Sequence, residues 1–150
     1  GGRVSAEVLK RVRVYAGVSR DKNNRDGDAT RRLLVGGYAT NVLKTGLDLS
    51  ASDSLMDRAS GSYHSRYVQV GRQFGRRLYL SGDYSTSLSV VRFSRSDGLV
   101  IETRPETTRV SGSATATVSS SWSLMGTVEQ TWETGLTDVR ALTGLTYRIR

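Results

Sequence analysis

Leu78-Tyr79-Leu80-Ser81-Gly82-Asp83-Tyr84-Ser85-Thr86-Ser87-Leu88-Ser89-Val90-Val91 is the stretch whose reading decides the fold. Its even positions are Leu78, Leu80, Gly82, Tyr84, Thr86, Leu88 and Val90; its odd positions are Tyr79, Asp83, Val91 and four serines. Successive side chains of a strand point to opposite sides, so a period of two over this length predicts one strand with an apolar face and a hydroxyl-rich face. Leu88 and Ser87, adjacent in the chain, fall on opposite sides of it. The run exceeds the usual strand of about 5–6 residues. It is long enough to cross a bilayer, which takes about 9–11 tilted residues.

Composition is consistent with a protein made of such strands. The 150 residues predict a single domain, 1–150. A hydrophobic fraction of 37%, one proline and 16 glycines argue against a helical bundle with a large core. With no cysteine there is neither a disulfide framework nor a thiolate metal site. No run approaches the roughly 18 apolar residues of a membrane-spanning helix. Gly1-Gly2-Arg3 is no signal peptide, and the expectation is a mature, trimmed or fragmentary chain. The net charge of +8 is spread along the length rather than gathered in a block, and no nucleic-acid motif accompanies it. The charge is read as solubility and pairing inside the protein; the sharper reading is attraction to anionic lipid head groups or to nucleic acid, and the dispersed distribution argues against nucleic acid, which is not among the expected partners.

Working outward, the alternation recurs. Val4 to Ser19 places Val4, Ala6, Val8, Val12, Val14, Ala16 and Val18 on one face and is read as a single strand, in which Lys10 requires either a bulge near Leu9 or a lower half that lies below the membrane. Arg20 to Thr30 is a polar loop. Arg32 to Val42, of open parity, and Leu43 to Ser52 follow as two strands around a tight turn near Thr40 to Lys44, then a second loop at Asp53 to Ser62. Tyr63 to Phe74 is the fourth strand, of open parity because His64, Arg66 and Arg72 share a face with Val68 and Val70. A turn at Gly75-Arg76 leads into the fifth strand. Ser94 to Arg104 is a polar connection in which Leu99 to Ile101 can extend the strands. Thr107 to Ser121, Ser123 to Thr131 and Thr137 to Arg150 complete the set. The fold class expected is all-β: an eight-stranded antiparallel up-and-down (meander) transmembrane β-barrel.

Connections after the first, third and fifth strands read as long and polar, and those after the second, fourth and sixth as short. With this asymmetry and alternation from Val4 to Arg150, the chain resembles a small eight-stranded bacterial outer-membrane β-barrel. That class includes membrane anchors, adhesion and serum-resistance proteins and lipid A-modifying enzymes. The resemblance implies the bacterial outer membrane as location, an anchor or scaffold role with polar external loops, and outer-membrane lipid as partner, alongside other envelope proteins or a larger complex. Many such barrels end on an aromatic residue; here Leu145, Tyr147 and Ile149 keep the alternation and Arg150 ends the chain. Trp122, Phe74 and Tyr147 are expected at the lower rim, with Trp132 and Phe93 at the upper.

The inward rows supply Glu7, Arg11, Arg13, Asp48, Asp83, Arg109, Glu129, Arg140 and Arg148. An eight-stranded lumen is just wide enough for side chains to fill it, and buried charges need partners, so these are expected to form an ion-pair and hydroxyl network that plugs the barrel. His64, the one histidine, could activate a serine or a water in a membrane-embedded lipid-modifying hydrolase. The His-x-Ser spacing of the lipid A deacylases is absent: position 66 is Arg, and Ser65 points the other way. Asp21 to Asp28 has the oxygen ligands of a calcium loop in part, but Arg25 and Arg32 stand where ligands belong. No catalytic residue, metal or cofactor is therefore expected. The rival fold is a soluble antiparallel barrel or sandwich, a binding module that buries the Val/Leu face and turns Ser and Arg to water.

Overall fold

The computed structural model describes residues 1–22, 29–42, 44–58, 60–94 and 98–147. They form ten strands in one antiparallel sheet: β1 (Gly2–Leu9), β2 (Val12–Lys22), β3 (Ala29–Val42), β4 (Leu47–Arg58), β5 (Gly61–Phe74), β6 (Leu78–Ser94), β7 (Val100–Thr103), β8 (Glu106–Thr117), β9 (Trp122–Glu133) and β10 (Leu136–Tyr147). Nine run as a meander, β1 through β6 and then β8, β9 and β10, while β7 pairs only with the end of β6 beyond its contact with β8. Among the described residues β1 and β10 do not pair, so the sheet is open along both outer edges.

The expected eight strands in a closed barrel are thus corrected to ten strands in an open sheet. One extra strand comes from Val4 to Ser19, which is a hairpin rather than one bulged strand. Lys10 and Arg11 reverse the chain, with Arg11 at φ 75° and its carbonyl accepting from the Thr40 N–H at 3.0 Å. An arginine at positive φ is uncommon, and the alternation of Val8 and Val12 continues through the turn and conceals it. The other extra strand is β7, inside the connection after β6. The expected loop at Asp53 to Ser62 is also corrected: β4 runs on to Arg58, β5 begins at Gly61, and only positions 59 and 60 lie between.

Register assigns the two faces. Gly37, Ala51, Val68, Tyr84, Val110, Gln130 and Val139 lie on one level of the apolar face, and the next step along the strands gives Ala39, Leu49, Val70, Gly82, Gly112, Val128 and Ala141. The open parities of β3 and β5 are thereby settled: Leu33, Val35 and Ala39 belong to this face, and so do His64, Arg66 and Arg72. The other face carries Ser50, Ser52 and Ser54 on β4, Ser65, Tyr67 and Gln69 on β5, and Ser81, Asp83, Ser85 and Ser87 on β6.

No apolar side chain is buried among the described residues. Along β4 the serine row is half-buried whereas Leu49, Ala51, Asp53 and Leu55 are exposed, and β5 repeats this with Tyr67 and Gln69 against Val68 and Val70. Such a difference between two sides of one layer means that the sheet curls toward its polar side. The accessible surface is 11297 Å² for 16.4 kDa, where a compact globule of that mass exposes about 7,500 Å². The excess is that of a single layer with its apolar face uncovered.

Candidate functional site

The polar face of β6, β8 and β9 holds the densest side-chain network. Asp83 stands opposite Ser111, and Ser111 opposite Glu129, so register alone brings the two carboxylates onto one row, on either side of Ser111. Arg109, one step above on β8, sends Nη2 to Asp83 Oδ2 at 3.4 Å and Nη1 to Glu129 Oε2 at 3.5 Å. The Ser111 hydroxyl donates to Asp83 Oδ1. One cation thus bridges two carboxylates, and a hydroxyl takes up a further lone pair. Asp83 is 18% exposed and Glu129 28%, and carboxylates so enclosed need such partners.

Hydroxyl pairs extend the network across the face. Ser81 and Ser113 hydroxyls lie 2.7 Å apart, those of Ser54 and Ser65 2.8 Å, and Ser50 donates to Gln69 Oε1 at 3.5 Å. Tyrosines fill the remaining space over glycines. A Cβ on Gly71 would overlap the Tyr79 hydroxyl, and one on Gly36 would meet both the Tyr15 hydroxyl and the Ala51 carbonyl. Only glycine lets each ring lie across the neighbouring strand.

Of the nine residues expected in this network, Asp83, Arg109 and Glu129 are brought together. Glu7 and Arg13 face each other across β1 and β2, at an open edge of the sheet. Asp48 serves a turn instead, Oδ1 accepting from the Asn41 N–H at 2.9 Å. Arg140 pairs with Asp138 two positions away at 2.6 Å. Arg11 lies in the β1–β2 turn, outside the inward row. Arg148 lies outside the described residues.

A second cluster, on the apolar face, was hidden in the segment read as a loop. Asp53 on β4 is opposite Arg66 and diagonal to His64. His64 Nε2 lies 2.9 and 3.0 Å from the two Asp53 oxygens, and Arg66 Nε donates to Oδ2 at 3.2 Å. Ser65 is on the other face with Ser54, as its parity requires, so it cannot serve His64 as a nucleophile. The signal was present in the sequence: Asp53, Leu55 and Asp57 alternate with Ser54, Met56 and Arg58.

This cluster marks a boundary. Asp53 and Arg66 are level with Thr86, Thr108 and Trp132. Eight residue steps below on β6, Leu78 is level with Phe74, Ala116, Leu124 and Leu145. The belt between these rows is about 26 Å along the strands and is largely apolar, with Arg72 level with Leu80 and Gln130 level with Tyr84. Trp122 and Tyr147 close the lower end, ring centroids 4.6 Å apart. Phe93, expected among the upper outward aromatics, is instead opposite Ile101 of β7 on the other face.

Of the supposed calcium loop, the described part has Asp21 pairing with Arg32 at 4.0 Å on the polar face; positions 23–28 lie outside the described residues. Among the described residues no three His, Cys, Asp or Glu side chains converge as a metal site. No family model, curated protein or solved structure matches this chain.

Proposed function

We propose that this chain is the lipid-embedded sheet of a bacterial outer-membrane β-barrel, serving as an anchor or scaffold whose upper connections meet other envelope components. The observation that carries the proposal is the inverted amphipathicity: Val, Leu and Tyr are exposed on the outer side of the curl, and a hydrogen-bonded Ser/Asp/Arg/Glu network is enclosed on the inner side. In water that arrangement leaves the hydrophobic effect unused. In a bilayer it is the alternation expected of a transmembrane barrel, whose apolar band is about 25 Å tall and flanked by aromatic residues. A soluble sandwich would need the Val/Leu face packed against a second layer, and all ten strands lie in one sheet.

Lipid offers no hydrogen bonds to a strand edge. Insertion therefore requires β1 and β10 to be paired, with one another or with further strands, and closure of the meander is part of the proposal. The bridged Asp83–Arg109–Glu129 group favours a filled interior over an open pore.

The test is refolding with phospholipid vesicles, followed by flotation in urea and gels of unheated and heated samples. The expected result is urea-resistant co-flotation and a band that changes mobility only on boiling. A monomer that stays soluble and folded without detergent would overturn the proposal.

A further inference from the structure

The two ends of the sheet carry different charge. The lower end is formed by the connections β1–β2, β3–β4, β5–β6 and β8–β9. The described residues of these connections hold Lys10, Arg11, Lys44, Arg76 and Arg77 and no carboxylate. Within three strand positions of them stand Arg72, the facing Glu7 and Arg13, and Asp48, which is engaged by the Asn41 N–H. Among the described residues neither the five cations of the connections nor Arg72 has an ion-pair partner. The upper end mixes signs: Asp21, Asp57, Glu102, Glu106 and Glu133 stand among its arginines, and the pairs Arg32–Asp21, Arg92–Glu102 and Arg104–Glu102 neutralise part of the charge.

The unpaired cations also adjoin the aromatic rim. Arg72 stacks over Phe74, guanidinium carbon 4.9 Å from the ring centroid, and Phe74 lies in the lowest apolar row beside the Trp122–Tyr147 pair. Aromatic rings at that position suit the boundary between acyl chains and headgroups, and the exposed turns carrying Lys10, Lys44, Arg76 and Arg77 project past it.

We infer that the lower end of the sheet is an electrostatic docking face for the phosphate layer of an anionic phospholipid leaflet, Lys10, Lys44, Arg76 and Arg77 being the principal contacts. The inference rests on the membrane-embedded reading and gives it a direction: the four turns lie on the anionic surface and the charge-mixed end faces away. Phosphate attracts each cation near the surface, and the attraction falls off within a Debye length, so it is sensitive to salt.

The test measures partitioning of the full chain onto phosphatidylcholine vesicles with and without phosphatidylglycerol, across a salt titration. The unaltered chain is expected to prefer the anionic vesicles, with the preference collapsing as salt rises. Combined Lys10→Gln, Lys44→Gln, Arg76→Gln and Arg77→Gln should weaken binding to anionic vesicles about fivefold per cation, or about 10²–10³-fold in all. The matched upper-end set Arg20→Gln, Arg31→Gln, Arg58→Gln and Arg92→Gln should keep most of the preference. Equal losses in both sets would mean that net charge alone acts, and would overturn the inference. So would equal uptake by both vesicle types, which leaves the membrane reading standing, whereas uptake by neither vesicle sinks that reading itself. Tight binding of an oligonucleotide without preference for anionic vesicles would make this face a nucleic-acid surface and likewise overturn it. Should a quadruple variant fail to fold, the four lower-end substitutions made singly are compared with the four upper-end ones in the same assay, and lower-end singles that lose no more than the upper-end singles overturn the inference.

Discussion

Gly71 and Arg109 show how single residues set the enclosed face. Tyr79 occupies the place of the side chain Gly71 lacks, so Gly71→Ala forces the ring to move, at about 1–3 kcal/mol for overpacking. Tyr79→Ser should recover most of that loss in the double variant while costing stability alone, a coupling that denaturant unfolding of the four-member cycle would read. Arg109 holds two carboxylates at once. Arg109→Met leaves Asp83 and Glu129 close together without a cation, and the expected loss is about 1–3 kcal/mol, because Arg109 itself is 42% exposed and partly screened. If Arg109→Met were neutral in unfolding while Asp83→Asn was costly, the bridge would not be the stabilising element. The network was partly legible in advance. Asp83, Arg109 and Glu129 follow from parity alone, but Arg11 was misassigned because its turn contains no glycine, proline or asparagine, and the Asp53–His64–Arg66 cluster was missed because a charged strand end reads like a loop.

The apolar belt predicts a graded response along β5 and β6. Val70→Arg, within the belt, should cost about 2–4 kcal/mol of folding into lipid, whereas Leu88→Arg should cost about 0–1 kcal/mol, since Leu88 is level with the polar His64 and Glu106 above the belt. Equal penalties at the two positions, measured as folding free energies in vesicles, would contradict the assigned boundary. At the upper tip, β7 is tied to β6 by Glu102, which accepts from Arg104 at 2.7 Å and Arg92 at 3.1 Å. Arg104 first, then Arg92, holds the Glu102 carboxyl below its ordinary value. A depressed carboxylate stabilises its element above the ordinary glutamate range and ceases to do so as pH falls through the lowered value. Protection of the Val100–Thr103 amides, taken relative to their intrinsic exchange rate at each pH, should therefore be highest at neutral pH and fall relative to that of β6 on acidification; unchanged relative protection in acid would show that Glu102 does not hold the arm. At this scale the sequence revealed strand identity well, since period-two alternation is local, and strand ends poorly. A hairpin turn at Lys10–Arg11 and a strand through Asp53–Arg58 both depend on pairing across the sheet, which no local pattern contains.

For the whole molecule, the antiparallel meander was legible, but the number of strands and the state of the edges were not. Closure is decided by which strand meets β1 and β10, a long-range relation that alternation leaves free. The central claim is that the exposed apolar face of this curled sheet lies in lipid and its serine face does not. With no cysteine in the chain, single cysteines can be placed in turn from Tyr67 to Val70 on β5 and given nitroxide labels. Collision rates with oxygen, which concentrates in lipid, and with a water-soluble nickel chelate are then measured in vesicles. The expected result is alternation of period two, with labels at Val68 and Val70 favouring oxygen and labels at Tyr67 and Gln69 shielded from it. A flat profile, or an apolar row inaccessible to both reagents as in a packed protein core, would contradict it.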